Sequence, residues 1–157
     1  MSVSKWNRMN VAIEQLQLDE LRDFLREQAN DAFPDLKDEQ RLNLLAEKWS
    51  KNAEFCVCRN AEGSLVGMIA FYVNRPEGAV VYIPHVYVNR EFRGQRIFTT
   101  MLHSIEKYVK KKGFHIIRLE VQKNNEIAQR AYLHHGFSFL GKATENSLYM
   151  QYLIDHD

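Results

Sequence analysis

The sequence predicts a mixed α/β domain. Apolar residues recur at helical spacing early in the chain, apolar runs between residues 55 and 88 have the length and composition of strands, and helical and strand patterns alternate after residue 95. At 157 residues the chain fits one domain over residues 1–157, because a chain of about 150 residues buries roughly 70% of its extended surface in a single core.

The chain is predicted to open with two helices. Leu18, Leu21 and Leu25 lie at helical spacing next to a candidate N-cap, Asp19, and a second amphipathic stretch covers residues 38–49. The first half therefore begins as helix on this pattern.

Three strand candidates follow, at residues 55–59, 65–73 and 79–88. Residues 60–63, Asn-Ala-Glu-Gly, form a hairpin-type turn, so the first two strands should pair antiparallel, and residues 74–78 form a second turn. The third strand is interrupted by Pro84. Because proline has no N–H to donate to a neighbouring strand, we expect a bulge or a splayed edge there.

The second half alternates helix and strand. A helix over residues 95–112 should end at Gly113, and another over residues 126–135 should end at Gly136. The remaining predicted strands are residues 115–121, 137–140 and 147–154.

Composition and charge exclude several classes of protein. The net charge of +1 lacks the strong positive field that tight duplex binding needs, so no nucleic-acid partner is expected. No stretch approaches the ~18 apolar residues of a membrane helix, so no membrane partner is expected either. Residues 1–16 lack the apolar core of a signal peptide, which favours a cytoplasmic location.

The cysteines predict neither a disulfide nor a metal site. Cys56 and Cys58 lie two apart in an apparent strand, where extended geometry opposes a mutual disulfide. There is no second cysteine pair, and the histidines show no zinc-ligand spacing. We expect two buried thiols and no metal.

Residues 86–98 combine a strand end, a loop and the start of a long helix. The first N–H groups of a helix have no intrahelical partner and carry the positive end of its dipole, so they can bind a phosphate. From the residues alone, Arg-Gly before a helix is more often an ordinary turn. The absence of G-x-G-x-x-G and G-x-x-x-x-G-K-[ST] argues against a dinucleotide fold or a nucleoside triphosphatase.

This segment, Val-Tyr-Val-Asn-Arg-Glu-Phe-Arg-Gly-Gln-Arg-Ile-Phe, resembles the pyrophosphate loop of the GNAT acetyltransferase superfamily, [QR]-x-x-G-x-[GA] after a strand. Arg93 takes the first position. Arg96 stands where the pattern has its first glycine, and Phe98 where it has Gly or Ala. Arg96 either adds a charged contact to the pyrophosphate or, if the glycine conformation is needed there, strains the loop.

A second segment, Leu119 to Phe137, is similar to the strand, Asn-x-x-Ala-x-x-x-Tyr helix and Gly-Phe turn of the same superfamily, with Asn125, Ala128 and Tyr132 in place. The resemblance covers about residues 54–154. It implies the GNAT fold, an α/β fold of the α+β type. Its mixed, mostly antiparallel central sheet is splayed between its fourth and fifth strands and flanked by helices. The splayed strands would be residues 79–88 and 115–121.

The resemblance implies a site for acetyl-coenzyme A (acetyl-CoA). Backbone groups of Val86 and Val88 would hold the pantetheine arm and polarise the thioester carbonyl. The other implied cofactor contacts are Arg93, Gly94, Gln95, Arg96, Ile97, Phe98, Asn125 and Tyr132.

The implied reaction is direct attack of an amine on the thioester in a ternary complex, with Tyr132 as the donor to the leaving sulfur. The base stays open between Tyr82, His85 and a water chain ending in either. A regular strand would point these two side chains to opposite faces, and a hydrogen-bonded His85 without a catalytic role is an alternative.

The resemblance implies an enzyme that acetylates a small-molecule amine. A protein or peptide N-acetyltransferase and a non-catalytic acyl-CoA-binding module are the alternatives. The acceptor is not identifiable from any motif, and the oligomeric state is left open, with a homodimer among the states considered.

Overall fold

A computed structural model describes residues 9–73 and 79–154. The strands are β1 (Asn10–Glu14), β2 (Glu54–Arg59), β3 (Leu65–Tyr72), β4 (Val80–Val88), β5 (Ile116–Gln122), β6 (Ser138–Thr144) and β7 (Ser147–Leu153). The α-helices are α1 (Leu18–Ala29), α2 (Glu39–Asn52), α3 (Ile97–Lys110) and α4 (Glu126–His135), with 3₁₀ helices at Pro34–Lys37 and Arg90–Phe92. Two sequence predictions concern residues outside the described ranges. One is the turn at residues 74–78, and the other is the absence of a signal peptide, which includes residues 1–8.

The seven strands form one sheet in the order β1-β2-β3-β4-β5-β7-β6. β4 pairs parallel with β5, whereas β1 with β2, β5 with β7 and β6 with β7 pair antiparallel. This confirms the predicted mixed, mostly antiparallel sheet flanked by helices.

The chain divides into two compact units. The first unit comprises Met1–Ala70 and His85–Ile105, and the second comprises Phe71–Pro84 and Glu106–Asp157. Each unit takes two separate segments of the chain, so the division marks no boundary along the sequence. One domain over residues 1–157 stays a prediction.

The prediction that the chain opens with helices is wrong, because β1 precedes α1. β1 runs antiparallel to β2 with Val11 opposite Cys58 and Ile13 opposite Cys56. It has five residues, none of them fully buried. So short a strand at the sheet edge carries little of the apolar alternation by which strands are recognised in a sequence.

The N-caps of α1 and α2 are Gln17 and Asp38. Asp38 caps α2, accepting hydrogen bonds from the backbone N–H groups of Gln40 and Arg41 at 3.0 and 3.3 Å. Asp19 is not the cap of α1. That position belongs to Gln17, and Asp19 lies in the first turn, where its charge complements the helix dipole.

Glycines end both later helices, as predicted. Gly113 follows α3 with φ +87°, and Gly136 caps α4 with φ +119°. At Gly136 a Cβ atom would also lie 3.0 Å from the Tyr152 ring, so packing as well as backbone conformation requires glycine there.

β4 shows no bulge at Pro84, because half-buried and buried residues alternate without interruption from Val80 to Val88. The parallel register with β5 runs from Val80 opposite Ile116 to Ile83 opposite Leu119 and ends one residue before Pro84. Proline cannot donate to the ladder, which explains why the pairing ends at this point.

The cysteines are buried, as predicted, and both are free thiols. Burial raises the pKa of Cys56 to about 12 and that of Cys58 to about 11, so both stay protonated at neutral pH. Within residues 9–73 and 79–154, no helix combines the length and the apolar character needed to cross a membrane.

Candidate active site

In the first unit, Asp31 anchors the loop that leads from β4 to α3. Its carboxylate accepts hydrogen bonds from the Tyr87 hydroxyl at 2.7 Å, from Arg90 Nη2 at 3.1 Å and from Arg93 Nη2. Arg93 Nε also donates to the Val88 carbonyl at 2.8 Å. The guanidinium of Arg93, predicted to contact the cofactor, therefore ties the loop to the end of β4.

The charge of Asp31 is stabilised by these partners. Burial alone would raise its pKa, but the hydrogen bond from Tyr87 and the charges and hydrogen bonds of Arg93 and Arg90 outweigh burial and hold the pKa below its usual value. Asp31 is therefore ionised at neutral pH, and the anchor of the loop persists there.

The backbone of the loop is left-handed at two positions just before α3. Gly94 and Arg96 have φ values of +81° and +63°, both left-handed, and α3 begins at Ile97. A left-handed residue before helical ones turns successive N–H groups toward one concave point, and the first N–H groups of α3 have no intrahelical partner. Such a backbone can offer N–H groups to an anion, and binding of a pyrophosphate by this loop stays a prediction.

Arg96 adopts the glycine conformation of the motif with a side chain that disfavours it. A left-handed conformation costs a non-glycine residue roughly 1–2 kcal/mol. Glycine avoids this cost, but part of the gain is offset because glycine gives the unfolded chain more conformational entropy. The second reading of Arg96, a strained loop, is thus supported by its φ of +63°.

We expect the urea midpoint for unfolding of Arg96→Gly to equal or exceed that of the parent. The free energy of unfolding of Arg96→Ala should be about 1 kcal/mol lower than that of Arg96→Gly. Both variants lack the guanidinium, so calorimetry with coenzyme A separates the two roles. If both variants lose ~1–2 kcal/mol of binding free energy for coenzyme A, the Arg96 side chain contacts the pyrophosphate. If Ala and Gly are equally stable, the strain at Arg96 is absent.

His85, a predicted base, lies in the core of the first unit. Its side chain is 8% exposed, its Nε2 lies 2.6 Å from Oε1 of the fully buried Gln28, and its ring is 4.4 Å from Phe33 and 4.9 Å from Trp49. Burial lowers the pKa of His85 to about 4. The imidazole is therefore neutral at pH 7, and its placement favours the packing role over proton transfer.

In the second unit, Tyr82 lies on a polar face that crosses three neighbouring strands. Tyr82 on β4 is opposite Arg118 on β5, and Glu120, two residues further along β5, is opposite Tyr149 on β7. Burial first, and then the negative charge of Glu120, raises the pKa of Tyr82. Tyr82 therefore stays protonated at neutral pH and is better suited to donate a hydrogen bond than to accept a proton.

Glu120 lies just beyond the end of the β4–β5 pairing. The last pair joins Ile83 to Leu119, so Glu120 is the first residue of β5 past it. Its Oε2 accepts a hydrogen bond from the Ser147 hydroxyl at 2.6 Å, and the side chain is exposed. A carboxylate is thus held where the two parallel strands stop pairing.

The two residues of the second motif that are predicted to contact the cofactor are Tyr132 on α4 and Asn125 at its N-cap. Tyr132 is 8% exposed, packs against Phe137 with ring centroids 5.7 Å apart, and has its pKa raised by burial to about 12. Asn125 caps the helix, its Oδ1 accepting from the Ala128 N–H at 3.1 Å. Capping accounts for Asn125 structurally, and its contact with the cofactor stays a prediction.

The comparison with protein families decides the relationship. The model of the Acetyltransferase (GNAT) family matches residues 18–137. This chain belongs to the GNAT acetyltransferase family.

Solved structures show the same GNAT fold. A GNAT acetyltransferase from Staphylococcus aureus is 16% identical with a TM-score of 0.74, covering 93% of this chain and 100% of that chain. A PaiA N-acetyltransferase from Thermoplasma acidophilum in complex with coenzyme A is 18% identical with a TM-score of 0.71, covering 92% and 99%. A dodecameric spermidine N-acetyltransferase from Vibrio cholerae is 17% identical with a TM-score of 0.68, covering 94% of each chain. No curated protein matched significantly.

Sequence reasoning missed three residues around this GNAT chain's candidate groups: Gln28, Asp31 and Glu120. The alternation Arg118, Glu120, Gln122 along β5 was a usable signal, because it places polar side chains on one face of a strand otherwise buried. Gln28 and Asp31 had no such signal, since their partners lie more than fifty residues away in the sequence.

Proposed function

We propose that this GNAT chain transfers an acetyl group from acetyl-CoA to an amine of a small molecule, by direct attack in a ternary complex. The observation that carries the proposal is the loop before α3, where left-handed Gly94 and Arg96 lead into the helix within the stretch that the family matches. The spermidine acetyltransferase of Vibrio cholerae, which acts on a small amine, supports this acceptor class by analogy.

In this proposal the cofactor's pyrophosphate binds the N–H groups of residues 96–98 at the start of α3. The pantetheine arm contacts the backbone of Val86 and Val88. Residues along a strand direct their N–H and C=O groups alternately to its two edges. The Asn89 N–H donates to the Val66 carbonyl of β3 at 2.8 Å, so Asn89 faces the β3 edge. The N–H and C=O groups of Val86 and Val88 therefore point to the opposite edge of β4. The Val88 carbonyl already accepts from Arg93, which leaves its N–H for the cofactor.

We assign proton removal from the attacking amine to Glu120, directly or through one water. Its carboxylate is exposed at the end of the β4–β5 pairing, and Tyr82 and Tyr149 flank it on the neighbouring strands. A carboxylate accepts protons and hydrogen bonds, whereas the raised pKa of Tyr82 keeps that phenol protonated. His85 is the alternative, weakened by its burial and by a pKa lowered to about 4.

Tyr132 is the donor to the leaving sulfur in this proposal. Its pKa of about 12 keeps the hydroxyl protonated throughout the neutral range. A thiolate near pKa ~8.5 would not remove that proton completely, so the hydroxyl supplies a hydrogen bond that strengthens as charge develops on sulfur.

Isothermal calorimetry should show acetyl-CoA binding with a Kd in the micromolar range, and the melting temperature should rise with ligand concentration. NAD⁺ is a suitable control, because it also carries a pyrophosphate and an adenine but the chain lacks a dinucleotide motif. A well-folded protein that gives no heat with acetyl-CoA would remove the basis of the proposal.

A screen of amines in the presence of coenzyme A distinguishes the remaining alternatives. Stabilisation by small amines supports the proposed class, and stabilisation by peptides alone supports a protein or peptide N-acetyltransferase. Tight binding of acetyl-CoA without acetylation of any amine supports the non-catalytic module, for which Arg96 and Phe98, the departures from the loop motif, are the sequence argument.

A further inference from the structure

A chain of hydroxyl groups connects the β6–β7 turn to Glu120. The Ser147 hydroxyl donates to Glu120 Oε2 at 2.6 Å, the oxygens of Thr144 and Ser147 are 2.7 Å apart, and the Asn146 backbone N–H donates to Thr144 Oγ1 at 3.1 Å. Ser147 is fully buried, at 0% exposure, although Glu120 is exposed. The buried Ser147 hydroxyl is thus hydrogen-bonded to an exposed carboxylate, that of Glu120.

The direction of these hydrogen bonds follows from the number of protons. Each hydroxyl has one hydrogen, and that of Ser147 is donated to Glu120, so Thr144 must donate to Ser147. The Thr144 oxygen accepts from Asn146, which as a backbone N–H can only donate. All three bonds therefore point toward the carboxylate, and bonds aligned in one direction polarise and strengthen one another.

Tyr82 and Tyr149 flank Glu120 on the neighbouring strands, but neither makes a described hydrogen bond to its carboxylate. Arg118, two residues earlier on β5, donates through Nη2 to Gln151 at 3.1 Å. On β6 the residues opposite Ser147 and Tyr149 are Thr144 and Gly141, and neither carries a charge. Within residues 9–73 and 79–154, the hydrogen bond that orients the Glu120 carboxylate is the one donated by Ser147.

We propose that Ser147 and Thr144 are positioning residues that hold the Glu120 carboxylate in one orientation for removing the proton of the acceptor amine. The inference rests on the proposed function, in which Glu120 is the base. A base acts efficiently only within hydrogen-bond reach of its proton, and an ångström of misplacement is costly. An exposed glutamate without this support would sample several rotamers.

Steady-state kinetics of four variants tests the proposal. We expect Ser147→Ala to lower kcat about 10-fold and Thr144→Val about 3-fold, with KM for the amine nearly unchanged, because binding of the acceptor is kept while the base is misplaced. Ser147→Thr keeps the hydroxyl and should recover most of the rate. Ser138→Ala, which removes a hydroxyl from the same hairpin, should match the parent.

Side-chain NMR of Glu120 supplies a measurement that does not need turnover. In the parent the Glu120 side chain should be ordered, and in Ser147→Ala its relaxation should approach that of the exposed Glu145. Equal order of Glu120 in both proteins, or parental kcat in Ser147→Ala, overturns the proposal. If Ser147→Ala does not fold, the same readouts on Thr144→Val decide. A chain that binds no acetyl-CoA refutes the proposed function, whereas the NMR comparison still tests the positioning.

Discussion

Tyr132→Phe is expected to lower kcat by ~10- to 1000-fold while acetyl-CoA binds with parental affinity. The change removes one hydroxyl and almost no volume, so the packing of the ring against Phe137 is kept. The range corresponds to the loss of one acid catalyst. Because burial raises the pKa of Tyr132 to about 12, its donor remains protonated and should cause no loss of rate below about pH 11.

Stopped-flow kinetics under single-turnover conditions measures this effect at the chemical step. Tyr108→Phe is the matched control, since it removes a phenol from α3 whose ring packs edge-to-face on Phe71, outside the proposed machinery. A Tyr132→Phe variant that reacts at the parental rate, with chemistry limiting, would show that Tyr132 only fills the core and that the thiolate leaves unaided or is protonated by water.

Glu120→Gln should reduce kcat by ~100- to 1000-fold, because the amide preserves the shape of the side chain but cannot take a proton from the amine. A second effect is independent of turnover. The charge of Glu120 contributes to raising the pKa of Tyr82, so removing that charge should lower the Tyr82 titration midpoint, measured by NMR of the ring.

Glu145→Gln provides the control for Glu120→Gln, as it removes one exposed carboxylate from the turn between β6 and β7 without touching β5. We expect it to keep parental kcat. His85→Gln tests the alternative base: if His85→Gln lowers kcat and Glu120→Gln does not, His85 removes the proton and Glu120 is not the base.

Much of the fold was predictable because its signals are local. α4 begins and ends at the predicted residues, since Asn125 caps it and Gly136 ends it within the same short segment. β1 was not predictable, because its five residues become a strand only by pairing with β2, more than forty residues later. Asp19 as a cap failed because an N-cap residue must itself have a non-helical backbone, which Gln17 has and the helical Asp19 does not, and the residue type alone does not set that conformation.

Some residues of the candidate site were likewise predictable from local sequence, and others were not. The loop before α3 and the Tyr132 helix were recognisable from contiguous motifs, although the roles assigned to their residues stay predictions. His85 looked like a base by its ordinary pKa, and its actual surroundings come from α1 and α2, which bring Gln28 and Trp49 to the ring. Burial then lowers its pKa, an effect that depends on neighbours distant in the sequence.

By itself the sequence determined the family and the order of most helices and strands, because both depend on residues a few positions apart. Only the tertiary structure decided that Arg96 is left-handed, that Arg93 ties its loop to Asp31, and that Glu120 stands at the end of the β4–β5 pairing with Ser147 bound to it. The physical reason is that conformation, burial and hydrogen-bond direction are set by the elements that pack around a side chain, and folding brings those elements from distant parts of the chain.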